Sequence, residues 1–247
     1  MKTASDPAGL TPSRHQQAKA GRSPKDNLIL RQLGEAAYQR LLPHLQPVLL
    51  KKNTLLSEPG SSKPHVYFPI DAVVASQRHL ADGSMIDASI IGCHGLLLAG
   101  PCCGVATDDS AVVRVTGMAY RLETPQFIDM IRHDEVTLMK FLSLSQIHHQ
   151  KMAKQLACNQ HHTARQRVAK LLLQFMDLVD SDTIACTHQE MADSLGVRRE
   201  AVSLTLKSLD QEGILQIQRG AVTVLDRQLL SACACECYGE WLSMRGH

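Results

Sequence analysis

The sequence predicts an α+β protein: a roll of short strands, then one long helix, then a helix-turn-helix followed by a β-hairpin. Three observations carry this. Residues 27 to about 131 alternate short β-rich runs with turn signals. Residues 134 to 157 contain no Pro or Gly. Thr187 to Asp226 reads as helix, tight turn, helix and hairpin.

Length and composition fit that plan. The chain of 247 residues can hold two modest domains, and a hydrophobic content of 44% is enough for real cores. A net charge of +2 excludes a nonspecific nucleic-acid coat, so any basic footprint must be local. No run approaches the length of a transmembrane helix, and no apolar N-terminal stretch resembles a signal peptide. A cytoplasmic protein with no membrane partner is expected, its eight cysteines being thiols rather than disulfides. No phosphate-cradling Gly loop, H-E-x-x-H or serine nucleophile elbow is present, so no enzyme is expected.

In chain order, residues 1–26 read as a disordered tail, with Pro7, Pro12 and Pro24, little aliphatic content, and five Lys/Arg against two Asp. Residues 27–133 form the roll. It opens on a short helical hairpin from Asn27 to Leu42. Strands are expected at Pro47–Leu50, Val66–Ile70, Val73–His79, Ile86–Ile91, Ala111–Val115 and Met118–Leu122. Ala81-Asp82-Gly83-Ser84 is a hairpin turn, and Glu58-Pro59-Gly60-Ser61-Ser62 a loop. Pro125-Gln126-Phe127 opens a helical stretch. In 134–158, Leu138, Leu142, Ser145, His149, Met152 and Leu156 recur in steps of four and three, a heptad-like seam. Its preferred use is a two-helix dimer interface; the alternative is packing on the chain's own roll.

Residues 159–228 hold the helix-turn-helix. Thr187 is a good N-cap, and Glu190 three residues later completes a capping box. Met191, Ala192 and Leu195 make an apolar face, and Gly196 supplies the turn. A second helix starts near Arg198, with Ala201, Val202, Leu206 and Leu209 inward. In DNA readers the first turn of this second helix touches base edges. Arg198, Arg199, Glu200 and Ser203 are therefore the candidate base readers. Thr187, His188, Gln189 and Lys207 suit phosphate contacts. Two β-rich runs flank the Arg219-Gly220 turn, a wing whose Arg219 can reach a phosphate or the minor groove. A plain helical hairpin with a solvated charged face would use the same residues.

This order of parts, with Cys158-Asn159-x-x-His162, Arg165-x-Arg167-x-Ala169-x-x-Leu172 and the Thr187-x-Gln189-Glu190 start of the helix pair, resembles the Crp/Fnr family of bacterial transcription regulators. The resemblance covers about residues 27 to 226 and is strongest from Cys158 to Asp226. It implies a cyclic-nucleotide-binding-like β-roll, a dimerisation helix and a winged helix-turn-helix. It implies, too, a homodimer on a palindromic site in double-stranded DNA, with RNA polymerase as a further partner. Members that bind cyclic AMP carry Gly-Glu-Leu and Arg-Ser-Ala segments; here Gly95-Leu96-Leu97 and Asp109-Ser110-Ala111 stand in those places. The carboxylate and the phosphate-neutralising Arg are missing, so cyclic AMP is not expected. The tail has no cysteine, so neither is an N-terminal iron–sulfur cluster. No cofactor is expected, and the effector is unknown. Arg199, Glu200 and Ser203 match reader positions of the family, while Leu204 replaces a third reader and suits a thymine methyl.

Residues 229–247 read as a Cys-containing C-terminal tail, and its cysteines offer a rival function: a metal- or redox-sensing protein using Cys233, Cys235 and Cys237, with DNA binding secondary. On one helix Cys233 and Cys237 would share a face and Cys235 would point away, so three thiolates converge only on a loop. A fourth ligand would have to come from Cys158, Cys186 or a histidine. Ordinary thiols are the favoured reading. The pairs His148-His149 and His161-His162 are read as ordinary too, because adjacent helical residues point about 100° apart.

Overall fold

The computed structural model describes residues 22–60, 65–81, 83, 85–99 and 109–244. The tail to residue 21, Ser61, Ser62, Asp82, Ser84, Cys102 and Cys103 lie outside them. The chain opens with a 3-10 turn at Pro24–Asp26, capped by Ser23. Helices α1 (Leu28–Gln32) and α2 (Glu35–Leu41) follow. Eight strands build the roll: β1 (Gln46–Leu50), β2 (Leu55–Ser57), β3 (His65–Pro69), β4 (Val73–His79), β5 (Met85–Ile91), β6 (Leu97–Ala99), β7 (Asp109–Val115) and β8 (Gly117–Glu123). They form two antiparallel four-stranded sheets, ordered β1-β8-β3-β6 and β2-β7-β4-β5.

The alternation of strand side chains explains why β3 is buried on both faces. Val66 and Phe68 face α1, α2 and α3 (Thr124–Arg132), packing with Leu30, Leu41, Phe127 and Ile131. Tyr67 faces the roll interior with Val74, Leu97, Ala111 and Val113. At the β7–β8 turn the backbone passes Asp71 and Ala72 so closely that a Cβ on Gly117 would lie 2.3 Å from the Ala72 nitrogen, so only glycine fits.

Helix α4 (Glu135–His161) runs 27 residues from an Asp134 cap whose carboxylate accepts from the Thr137 amide. It has two apolar stripes with different fates. Phe141 and Leu144 pack against the helices of the roll, Phe141 edge-on to Phe127 at 4.9 Å. The predicted seam is a different stripe, left largely open: Leu142 is 55% exposed, Met152 39% and Leu156 62%.

Helix α5 (Ala164–Val179) begins at a Thr163–Gln166 capping box and runs through the C-terminal core, with every residue from Arg167 to Leu173 buried. Around it lie β9 (Thr183–Ile184), α6 (His188–Leu195), α7 (Arg199–Gln211), β10 (Leu215–Gln218), β11 (Ala221–Val224), α8 (Arg227–Cys233) and α9 (Cys237–Ser243). Strands β10, β11 and β9 form one antiparallel sheet in that order.

Two expected tails correct to packed structure at their inner ends. Residues 22–26 are tied to the roll: the Tyr120 hydroxyl donates to the Arg22 carbonyl (2.8 Å), and Arg22 pairs with Asp71 (3.2 Å). Residues 229–244 are largely the helices α8 and α9. Leu230 and Tyr238 are buried, and Asp177 on α5 takes Arg227 and the Tyr238 hydroxyl, each at 2.7 Å. An apolar residue every three or four positions suffices to fold this stretch against α5.

The C-terminal part is docked on the roll. Lys52 donates to the Ala185 carbonyl (2.8 Å) and pairs with Glu190 (2.9 Å). The Ser194 hydroxyl on α6 donates to Asp87, whose carboxylate is held by Arg114 (2.6 Å) and Gln77 (3.0 Å). Trp241 on α9 meets His94 of the Gly92–Gly95 turn edge-on at 5.5 Å.

Candidate nucleic-acid interface

Helix α6 starts as its residues dictate. The Thr187 hydroxyl accepts from the Glu190 amide (3.1 Å), and the Glu190 carboxylate accepts from the Thr187 amide (2.7 Å). Burial by itself would raise the Glu190 pKa, but the Thr187 amide and Lys52 outweigh it and hold the carboxyl below its ordinary range. Folded below unfolded means stability that is present above the ordinary glutamate pKa and lost as pH falls through the folded one. Lys52→Ala is expected to flatten that acid-side loss, measured by urea denaturation across the acid range; an unchanged pH profile would remove Lys52 from the account.

The helix ends at Gly196, whose φ of 60° lies in the left-handed region, and its amide closes the turn on Ala192 and Asp193. Helix α7 then begins after Arg198, which caps it by backbone alone. Val202, Leu206 and Leu209 are buried against α5 and α6; Ala201, expected inward, is only half-buried.

The outward face carries the predicted readers together. Arg198, Arg199, Glu200 and Lys207 are exposed, and among the described residues none of their side chains makes a hydrogen bond or ion pair. Leu204 shares that face and is 71% exposed. Ser203 is more constrained: its hydroxyl donates to the Arg199 carbonyl (3.0 Å) and lies 2.9 Å from His188 Nδ1, tying α7 to α6. Gln189 is likewise engaged, donating to Asp193 at 2.7 Å. The wing is a two-residue hairpin, with Gln218 opposite Ala221, Gly220 at φ 75° and Arg219 exposed at its tip. His188, expected to suit a phosphate contact, is thus engaged with Ser203.

At the other side of the C-terminal part, the cysteine constellation differs from the expected one. Helix α8 stops at Ala234, so Cys235 sits between helices and Cys237 opens α9. Cys235 Sγ lies 3.6 Å from Cys158 Sγ, and Cys237 Sγ lies 3.7 Å from His162 Nδ1. Cys233 is not in this group; Arg165 donates to its sulfur at 3.3 Å while also clamping Glu212 with two bonds of 2.7 Å. The set Cys233, Cys235 and Cys237 is thus corrected, because a helix end separates the first thiol from the other two. His162 is not the ordinary residue expected, whereas His161 stays exposed. Cys186 also stands apart, buried, its thiol pushed up to about 12 by desolvation and by Glu190.

In the roll, Asp109 is paired with Arg78 (2.7 Å) and takes the Ser76 hydroxyl (3.1 Å). The acid that stands in the place of a neutral-to-cationic anion site is thereby already matched within the sheet.

Comparison with known proteins agrees with this layout. Residues 166–233 match the family profile of the Crp-like helix-turn-helix domain. No curated protein matches the sequence. Solved structures match the fold at low identity. One is a transcriptional regulator assigned to the Crp/Fnr family from Eubacterium rectale, 15% identical, with a TM-score of 0.66 over 83% of this chain and 96% of that one. FixK2 from Bradyrhizobium japonicum is 18% identical, with a TM-score of 0.62 over 77% of this chain and 98% of its own. A CRP-family transcriptional regulator from Thermus thermophilus is 20% identical, with a TM-score of 0.61 over 76% and 96%. The chain thus has a Crp/Fnr-type regulator fold, and the metal- or redox-sensing alternative with DNA binding secondary is not favoured.

Proposed function

We propose, from a Crp-like helix-turn-helix domain carried on a Crp/Fnr-type fold, that the protein is a sequence-specific DNA-binding regulator acting as a homodimer on a palindromic operator. The observation that carries this is the exposed, unpartnered first turn of α7, with Arg198, Arg199 and Glu200 side by side.

The roles follow from chemistry. Arg198 and Arg199 chelate guanine acceptors, and Glu200 accepts from cytosine N4. Ser203 joins them one turn along, and Leu204 meets a thymine methyl. Thr187, Gln189, Lys207 and Arg219 hold the phosphate backbone. The seam of α4 joins two copies so that their reading helices enter successive major grooves, about 34–36 Å apart. The roll acts as the regulatory half: its contacts through Lys52, Asp87 and His94 fix where the C-terminal part sits. An effector works by favouring one such placement over another.

The test is selection of random duplex DNA by the purified protein, followed by sequencing. A two-fold symmetric motif is expected, with half-sites one helical turn apart. Arg199→Ala should cost about 1–3 kcal/mol and relax one position in each half. Lys207→Ala should instead weaken all sequences alike and reduce the salt slope by about 1. No enrichment at low salt, with wild-type protein that is folded and dimeric, would reject the DNA reading.

A further inference from the structure

The geometry points to a metal site at the hinge: we infer that Cys158, His162, Cys235 and Cys237 together hold one thiophilic divalent ion in four-coordinate geometry, zinc being the natural occupant. The ligand atoms of these four residues all lie within 4.8 Å of one another. A single tetrahedral zinc with Zn–S bonds of ~2.3 Å places its sulfurs about 3.8 Å apart. The observed edges, 3.6 Å between the sulfurs of Cys158 and Cys235 and 3.7 Å between Cys237 Sγ and His162 Nδ1, match one ion. They are too short for sulfurs gripping the corners of an iron–sulfur cube.

Three further features are those of a metal site. Cys158 and His162 are one helical turn apart, so they present ligands to the same side. His162 Nε2 lies 3.1 Å from Glu236 Oε1. A carboxylate on that nitrogen fixes the tautomer that leaves Nδ1 free to bind, the usual support of a metal-ligating histidine. Most telling is Lys170. It is 3% exposed, and its ammonium donates to Cys158 Sγ (3.3 Å) and to the Gln155 amide oxygen (2.7 Å), with no carboxylate in reach among the described residues. A buried ammonium without a counter-charge is costly. Three thiolates, a neutral imidazole and a divalent ion carry a net charge of −1, which neutralises Lys170. Binding releases the three thiol protons to solvent, so metal uptake is proton-linked.

The location gives the ion a purpose. Cys158 and His162 end α4, whereas Cys235 and Cys237 follow the wing and α8. The ion therefore fastens the last segment of the C-terminal part to the end of the long helix, across the joint where α4 passes into α5. Lys154 on α4 and Glu240 on α9 pair beside it at 3.0 Å. The ion holds the joint at one angle; it is neither the reader nor the effector.

The experiment is done on the full chain without DNA, so its failure is separable from failure of the DNA reading. Protein purified under reducing conditions is analysed for metals, stripped, and titrated with Co2+. One zinc per chain is expected. Co2+ should give the intense visible bands of tetrahedral coordination with a thiolate charge-transfer band, bleached by zinc. Cys237→Ser should lose the stoichiometric metal, while Cys186→Ser, outside the group, should keep it. Because a cysteine variant can also fail by misfolding, Glu236→Gln supplies a mild test at an exposed side chain: about 10–100-fold weaker metal binding with the fold intact. Absence of bound metal and of tetrahedral Co2+ bands would overturn the site. So would unchanged metal in Cys237→Ser, or a Cys158–Cys235 disulfide that accounts for the thiols with no ion.

Discussion

Arg114→Ala is expected to destabilise the fold by about 3–5 kcal/mol, the largest single-residue effect on stability that the structure supports. The reason is its partner. The Asp87 side chain is 1% exposed and receives two bonds from Arg114, Nε to Oδ2 at 3.2 Å and NH2 to Oδ1 at 2.6 Å. Gln77 and the Ser194 hydroxyl donate to the same carboxylate. Removing the guanidinium leaves a buried anion with two neutral donors, and that uncompensated charge dominates the loss. Asp87→Leu combined with Arg114→Met should recover much of it, since an apolar pair of similar volume needs no counter-charge. Ser194→Ala should cost only about 1 kcal/mol, because it removes one donor at the junction and leaves the ion pair intact. Urea denaturation followed by the fluorescence of Trp241, the single tryptophan, measures all three. A loss below about 1 kcal/mol for Arg114→Ala would show that water reaches Asp87.

The second large effect concerns assembly. Leu142→Glu with Leu156→Glu is expected to convert a dimer to a monomer and to weaken operator binding by about 100-fold or more, since two linked half-site contacts become one. Both leucines are exposed in the single chain, 55% and 62%, so the substitutions remove no intramolecular packing and the protomer should keep its stability. Phe141→Ala reports on the other stripe and should do the reverse: lower stability through the lost contact with Phe127, with the dimer retained. Sedimentation equilibrium and operator titration separate the two outcomes. A monomeric wild-type protein, or a double variant that stays dimeric, would remove the seam from the account.

Much of the architecture was legible because it is written locally. The Thr187–Glu190 box, the Gly196 turn and the Arg219-Gly220 hairpin each need only a few neighbouring residues, and each appears where its residues stand. Six strands of the roll were readable as β-rich runs between turn signals, and the two of the wing from the turn they flank. The three that were not, β2, β6 and β9, are two or three residues long, too short for a period to show. The α8–α9 pair was read as a tail because each helix has seven residues, too few to mark a face. Of the candidate readers, the sequence pointed to Arg198, Arg199, Glu200 and Lys207 by charge and position, and all four are exposed. It had no means of seeing that Ser203 and Gln189 are engaged by side chains on α6.

By itself, then, the sequence determined the order of parts, the caps and turns that start and stop them, and which face of the second helix is left to solvent. All are set by periodicity, steric freedom and hydrogen bonds within a few residues. Only the tertiary structure decided which stripe of α4 is spent on the roll and which remains open. It decided, too, that Asp87 on β5 is shared by β4, β7 and α6, and which thiols converge. Cys158 and Cys235 are 77 residues apart, and whether two such sulfurs meet depends on how α5 and α8 pack between them. Spacing along the chain placed Cys233 beside its neighbours, whereas the end of a helix at Ala234 turned it toward Arg165 instead. Distance in sequence carries local geometry, but it carries no direction across a core.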